Sequence, residues 1–415
     1  MSFQVRCRLD PQGGSVLNAP PNMRIAVRKE GVAGERRVSI VPESIKRLAA
    51  KKIEASVEAG AGASAYASDE EYRSAGARID TSLDALLADA DAVVQIRAPR
   101  IDEVSRLKEG SALVSLLFPL VEHDLVRALA ARKITAIAVD MIPRTTVAQM
   151  MDVLSSQATA AGYEAVLMAA AALPKFFPML MTAAGTIAPA RVLILGAGVA
   201  GLQAIGTARR LGAVVEAFDV RKAVKEQVES LGAKFVEVET EDAATAGGYA
   251  RELSEDSKRK QAEAIARHVA KADVVLCTAL IPGRRAPVLV TAEMVASMKA
   301  GSVIVDLAAE QQGNCALTKP GQTVVEHGVT IIGVTDMTSR MCAHASQMYS
   351  RNMEKLLFYI TKDGAWKLDF KDEIVAGSVI THGGEVVHPK VKELLSGAPA
   401  TNDGGAKAPP SAGAQ

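Results

Sequence analysis

RVLILGAGVAGLQAIGTARRLGAVVEAFDVR, Arg191 to Arg221, is the stretch on which the fold turns. RVLIL reads as a strand and LQAIGTARRLG as the helix after it. Between them lies the pattern G-x-G-x-x-G, from Gly196 through Gly198 to Gly201. A strand, a glycine turn and a helix in that order form the phosphate-binding corner of a dinucleotide fold. The first glycine permits the tight turn, the second lets a pyrophosphate approach the backbone, and the third lets helix pack on strand. The N-terminus of the helix then faces the phosphates. Asp219 ends the next strand, eighteen residues after Gly201, where a carboxylate accepts the ribose hydroxyls and repels a 2′-phosphate. NAD is therefore expected over NADP, although Arg221 could support a 2′-phosphate instead. A glycine turn that binds nothing is the alternative reading.

The totals fit that reading. The chain has 415 residues, 49% hydrophobic and 23% charged, enough for two or three cored domains. A net charge of +1 and 4% aromatic residues argue against a nucleic-acid partner. Cys7, Cys277, Cys315 and Cys342 are widely spaced and contain no C-x-x-C pair, so neither zinc nor a disulfide framework is expected. No apolar run approaches the roughly 18 residues of a membrane span. The N-terminal stretch has no apolar core of a secretory signal.

Alternating strands and helices extend on both sides of the glycine turn. MRIAVRKE, ERRVSI, IEASVEAG, ADAVVQIR, SALVSLLF and KITAIAVDMI read as strands of a first α/β unit. A long helix is expected from about Thr146 to Ala172, and a second from Ala345 to about Tyr359. AKFVEV, ADVVLCTAL, SVIVDLA and VTIIGVT extend the glycine-turn unit. The expected fold is α/β, with two Rossmann-like doubly wound domains built on parallel sheets and joined by long helices across a cleft. Its expected parts are a flexible extension over 1–22, a first domain over 23–143 plus 346–399, a nucleotide domain over 144–345 and a disordered tail over 400–415. A polar glycine-containing loop is expected near 238–254.

Acid-base machinery is not evident. Oxidising a hydroxy or amino acid moves a proton as well as a hydride, and so calls for a His or Lys beside the substrate. His123, His268, His327, His344, His382 and His388 all read as surface or capping residues. Hydride exchange between two nicotinamides has no such proton to move and depends on positioning. PRTTVAQMMDVLSSQ, Pro143 to Gln157, offers Arg144, Gln149, Asp152 and Ser155 for that purpose. The last three share one side if they begin a helix. Helix capping, with Thr145 or Thr146 as N-cap, explains the same stretch equally well.

Taken together, RTTVAQMMDVLSSQATAAGYEAV, the glycine-turn stretch, KEQVESLGAKF, TAGGYA, TALIPGRRAPVLVTAEMV and GSVIVDLAAEQQGNC resemble the NAD(H)-binding domain I of proton-translocating nicotinamide nucleotide transhydrogenases. The resemblance runs from about Met23 to Pro399. It implies that Arg144, Gln149, Asp152 and Ser155 line the nicotinamide end. It implies that Gly196, Gly198, Val199, Ala200, Gly201, Asp219, Val220, Arg221, Ala279 and Leu280 bind NAD(H), with Tyr249 closing over the nucleotide on its loop. It implies no metal.

The partners implied are a second copy of the chain as a homodimer, an NADP(H)-binding domain on a transhydrogenase beta subunit, and membrane-spanning subunits that move protons. No span follows Pro389, so a separate peripheral subunit is expected, on the cytoplasmic face of a bacterial plasma membrane. Alanine dehydrogenase shares the fold and is the main alternative. Its substrate Lys and His correspond here to Arg97 and Phe118, its nucleotide-side Asp to Glu310, and its substrate Arg to Arg37, read here as a structural ion-pairing residue. An NAD-sensing module without turnover is a third reading. Asp336 stands where the family often has Asn.

Overall fold

The computed structural model describes residues 22–238, 254–280 and 285–396. Residues 1–21, 239–253, 281–284 and 397–415 lie outside the described residues, and with them Tyr249, nearly all of the loop expected near 238–254, and the expected N-terminal extension and tail.

In chain order the strands are β1 (Met23–Val27), β2 (Ile53–Glu58), β3 (Arg78–Asp80), β4 (Ala92–Arg97), β5 (Ala112–Leu116) and β6 (Thr135–Ala138). They continue as β7 (Leu180–Thr182), β8 (Gly185–Ile187), β9 (Arg191–Leu195), β10 (Val214–Phe218), β11 (Lys234–Phe235), β12 (Val274–Cys277) and β13 (Val303–Asp306). The last are β14 (Thr323–Glu326), β15 (Val329–Gly333), β16 (Thr361–Lys362), β17 (Ala365–Trp366), β18 (Val379–His382) and β19 (Glu385–Val386).

Eight of them form one sheet in the order β19-β18-β6-β5-β4-β1-β2-β3, and seven form a second in the order β11-β10-β9-β12-β13-β15-β14. Both sheets are parallel except at one edge, where β18 pairs antiparallel with β6 and β19 in the first and β14 pairs antiparallel with β15 in the second. The parallel strands are short, apolar and buried on both faces, the pattern of a sheet covered by helices on each side. The order in which the parallel strands are laid down reverses between β1 and β4 in the first sheet and between β9 and β12 in the second. Ligands of open α/β sheets bind beyond the strand C-termini at such a reversal.

Two long helices join the sheets. The central helix, Val153–Ala172, packs on the helix of the glycine turn, Val199–Arg210. The return helix, Cys342–Ile360, packs on the central helix and carries the chain back to the first sheet. Among the described residues no helix is long and apolar enough to cross a membrane.

Two expectations are corrected. ERRVSI is not a strand. Its Val38 amide donates to Ser346 Oγ and the Val41 amide that follows it to Ser350 Oγ, both at 3.0 Å, so hydroxyls of the return helix take the place of a neighbouring strand. The helix expected from Thr146 is broken. A 3-10 turn, Ala148–Met151, comes first, and the α-helix begins only after Asp152.

Candidate functional site

The glycine turn has the geometry its spacing implies. Gly196 sits at φ +104, which an L side chain rarely adopts, and a Cβ there would lie 2.9 Å from Thr278 Oγ1. At Gly201 an added Cβ would overlap the Gly196 carbonyl oxygen, so nothing larger fits between turn and helix. Gly198 is different, because no atom lies within 4 Å of the position its Cβ would take. Its open side is the face a ligand can approach. Gly198 is also the N-cap and contributes no side-chain cap, which leaves the first-turn amides, Val199 and Ala200 among them, to an incoming anion.

Across the β9/β12 reversal, Thr278 Oγ1 donates to the Gly196 carbonyl at 2.7 Å and fastens the end of β12 to the turn. Buried Asn314 receives the Ala279 amide at 3.1 Å and donates to the carbonyls of Ala279 at 2.9 Å and Pro287 at 2.8 Å. Ala279 is thereby held against the crevice, and exposed Leu280 is the last described residue before 285. Asp219 and Val220 follow β10 on the other side. Asp219 Oδ2 accepts the Ala197 amide at 2.8 Å, so the carboxylate is built into the turn itself. These residues fit a dinucleotide: a cradle that a Cβ would fill, a free helix N-terminus and a carboxylate at the strand end.

The second predicted group is held partly by capping. Asp152 is the N-cap of the central helix. Its Oδ1 accepts the Ser155 amide at 2.9 Å, and its Oδ2 accepts Ser155 Oγ at 2.6 Å. Thr145 Oγ1 accepts the amide of Ala148, the first residue of the 3-10 turn, at 3.3 Å, and the α-helix is capped by Asp152 and by neither threonine. Gln149 lies on that turn and is exposed, as is Arg144 just before it. Gln149, Asp152 and Ser155 therefore do not share one helical face, as their spacing suggested; the break at Asp152 separates the first from the other two. Further along the same helix, a Cβ at Gly162 would overlap the Ala200 carbonyl oxygen. Ser155 stands seven residues earlier, roughly 10 Å along the axis from the glycine turn.

A charged cluster joins the end of β4, the loop after β1, the central helix and the helix Met337–Arg340. The Glu35 side chain is fully buried. It accepts Arg37 Nε at 2.7 Å and Nη2 at 2.6 Å, Arg97 Nε at 3.0 Å, and Ser339 Oγ at 2.7 Å. Burial alone would raise the Glu35 carboxyl, but the Arg37 bonds and charge win and hold it down at about 2. Arg37 gives its remaining nitrogen to Gln157 Oε1 at 2.8 Å, so its whole fork is engaged and the ion-pairing reading stands. Beside it Glu30 accepts the amides of Ile96 at 2.6 Å and Arg97 at 3.1 Å, while burial pushes its carboxyl up to about 7. Glu35 and Arg37 are sequence neighbours, but their cluster is completed by Arg97 and Ser339, 62 and 304 positions from Glu35, and Glu30 bonds amides 66 and 67 positions away.

The counterparts of alanine dehydrogenase residues do not form a proton-transfer pair. Arg97 ends β4 on Glu35. Phe118 is an exposed residue at φ +46 whose amide donates to Asp140. Glu310 lies exposed on the 3-10 turn Ala309–Gln311, within electrostatic range of Arg97 and Arg37. Asp336 pairs with Arg340 at 3.0 Å. His388 caps the helix that starts at Pro389, His268 bonds Glu216, His382 bonds Thr135, His123 bonds the Leu120 carbonyl, and His327 and His344 are exposed.

Comparison with known proteins agrees with this geometry. The family descriptions "Alanine dehydrogenase/PNT, N-terminal domain" and "Alanine dehydrogenase/PNT, C-terminal domain" match residues 26–161 and 165–389. An NAD(P) transhydrogenase alpha subunit of Rhodospirillum rubrum is 49% identical over 377 residues, covering 88% of this chain and 98% of that protein. Alanine dehydrogenase of Halomonas elongata is 30% identical over 380 residues, covering 90% of this chain and 97% of that protein. The crystal structure of transhydrogenase from Sinorhizobium meliloti superposes with a TM-score of 0.81 at 44% identity, covering 88% of this chain and all of that one.

Proposed function

The chain belongs to the alanine dehydrogenase/PNT family and to its NAD(P) transhydrogenase alpha subunits, and within that family we propose that it binds NADH and passes a hydride directly to NADP⁺ on a partner subunit. The observation that carries the reading is the β9/β12 crevice. The glycine turn there, open at Gly198 and fastened to Thr278, supports a dinucleotide, and the six histidines are engaged elsewhere or lie exposed.

NADH, when bound, supplies the hydride; the chain supplies position. Gly196, Gly198 and Gly201 let the pyrophosphate reach the amides of Val199 and Ala200. Asp219 takes the adenosine ribose, while Val220, Ala279 and Leu280 border the crevice. Gln149 and Arg144, exposed on and before the 3-10 turn, orient the nicotinamide towards the partner. Asp152 and Ser155 hold each other and fix the end of that turn. Tyr249, outside the described residues, closes over the nucleotide. Restricting both rings to one geometry converts a bimolecular encounter into a positioned transfer.

The partner is an NADP(H)-binding domain of the beta subunit, and membrane-spanning subunits couple the transfer to proton movement. The chain sits peripherally on the cytoplasmic face of the membrane. It forms a homodimer, a reading supported by exposed apolar side chains at Met181 and Ile187 on the β7–β8 hairpin and at Phe176 and Met179 in the segment that leads into it. A steady-state assay separates this reading from its main alternative. NADH-dependent reduction of an NADP⁺ analogue that requires a transhydrogenase NADP(H)-binding domain supports it; NADH formed from alanine and NAD⁺ would replace it with alanine oxidation.

A further inference from the structure

The ribose carboxylate is already occupied. Asp219 Oδ1 accepts the Arg221 amide at 2.9 Å and Arg221 Nε at 2.9 Å. Oδ2 accepts the Ala197 amide at 2.8 Å and Arg221 Nη2 at 2.7 Å. A carboxylate has about four acceptor positions, and four donors fill them. The Asp219 side chain is only 6% exposed and that of Arg221 18%. A ribose hydroxyl cannot bond Asp219 unless one of these donors leaves. Two of the donors are main-chain amides, one inside the glycine turn and one at the strand end, and the backbone fixes both. The guanidinium fork is the pair that can move.

We propose that Arg221 is a specificity-determining residue that competes with the ribose for Asp219 and, once displaced, screens Asp219 from a 2′-phosphate. The proposal rests on the reading that the glycine turn holds a dinucleotide. Nucleotide entry is then an exchange. The fork's two charge-assisted bonds break, and the ribose diol takes their place. A site closed in this way binds with an affinity reduced by the fraction of time the fork is seated. The displaced guanidinium remains on the residue two positions along, close enough to offset the repulsion between Asp219 and a 2′-phosphate. Arg221 thus lowers affinity for NAD(H) and softens the exclusion of NADP(H), narrowing a preference that Asp219 alone would make steeper.

The test is titration of the full chain with NADH and with NADPH, read by nicotinamide fluorescence. Arg221→Gln should lower the Kd for NADH roughly three- to tenfold and raise that for NADPH by a similar factor. Arg221→Lys keeps the charge without the planar fork, so it should tighten NADH less and leave NADPH near its original value. Weaker NADH binding in Arg221→Gln would make the guanidinium a direct nucleotide contact and overturn the proposal, as would unchanged values for both nucleotides. If Arg221→Gln does not fold, the lysine variant decides alone: tighter NADH supports competition, and equal or weaker NADH contradicts it. Failure of the unsubstituted chain to bind NADH would sink the dinucleotide reading itself, and is recognised because it needs no substitution.

Discussion

Gly162 of the central helix lies directly against the carbonyl of Ala200 in the first turn of the glycine-turn helix. The contact sets where the nucleotide cradle stands relative to Ser155 and Asp152. Gly162→Ala should push the helices apart and cost about 1–3 kcal/mol of stability, with weaker NADH binding. Gly206→Ala, on the same glycine-turn helix but with nothing within 4 Å of its Cβ, should be neutral or slightly stabilising. Urea unfolding and NADH titration of both variants check the pair; equal effects would deny the contact its role.

Asp152 caps the central helix, and capping explains its conformation without any nucleotide. Asp152→Ala should therefore cost about 1 kcal/mol, and Asp152→Ser should restore most of it. Positioning makes a different demand. If the carboxylate also orders the nicotinamide end, the serine variant recovers stability but not the rate of hydride transfer. Thermal unfolding beside single-turnover kinetics separates the two roles, and full recovery of both would leave Asp152 a cap only.

Much of this arrangement is legible in the sequence. RVLIL and VVLC are apolar runs of strand length, and the glycine turn with Asp219 is local, so spacing alone places them. ERRVSI is not legible, because the backbone amides of Val38 and of the following Val41 are satisfied by Ser346 and Ser350 some three hundred positions away rather than by a strand. The helix break at Asp152 is hidden by residues that all suit a helix. The Glu35–Arg37 pair is local, but its links to Arg97 and Ser339 span 62 and 304 positions, which no local pattern records. The fork of Arg221 on Asp219 is a two-residue relation, yet the same residues read equally as independent nucleotide contacts until their geometry is seen.

Glu30 gives the protein a pH signature. Burial raises its carboxyl from 4.5 to about 7. Because the folded value is above the unfolded one, the unfolded chain loses its proton first as pH rises. Stability then falls between pH 4.5 and 7 and is level above, by up to the order of 3 kcal/mol. Glu30→Gln should flatten this slope without changing the stability near pH 4. Denaturant melts across pH 4.5 to 8 test it, and a slope retained in the variant would assign the effect to another group.

The β7–β8 hairpin carries Met181 at 77% exposure, and Phe176, in the segment before it, is 54% exposed. If the hairpin is the dimer face, Met181→Asp should shift the sedimentation equilibrium towards monomer while leaving NADH affinity near its original value. A variant that still sediments as a dimer would place the interface elsewhere.

The central claim is direct transfer of a hydride from NADH on this chain to a nicotinamide on its partner. Following NADH deuterated at C4 in single turnovers with a transhydrogenase NADP(H)-binding domain and an NADP⁺ analogue tests it most directly. The account predicts that the deuterium is recovered in the reduced analogue, that none enters water, that both proteins are required, and that Gln149→Ala slows the transfer with little change in NADH affinity. Deuterium released to solvent, or transfer unaffected by Gln149→Ala, would contradict it.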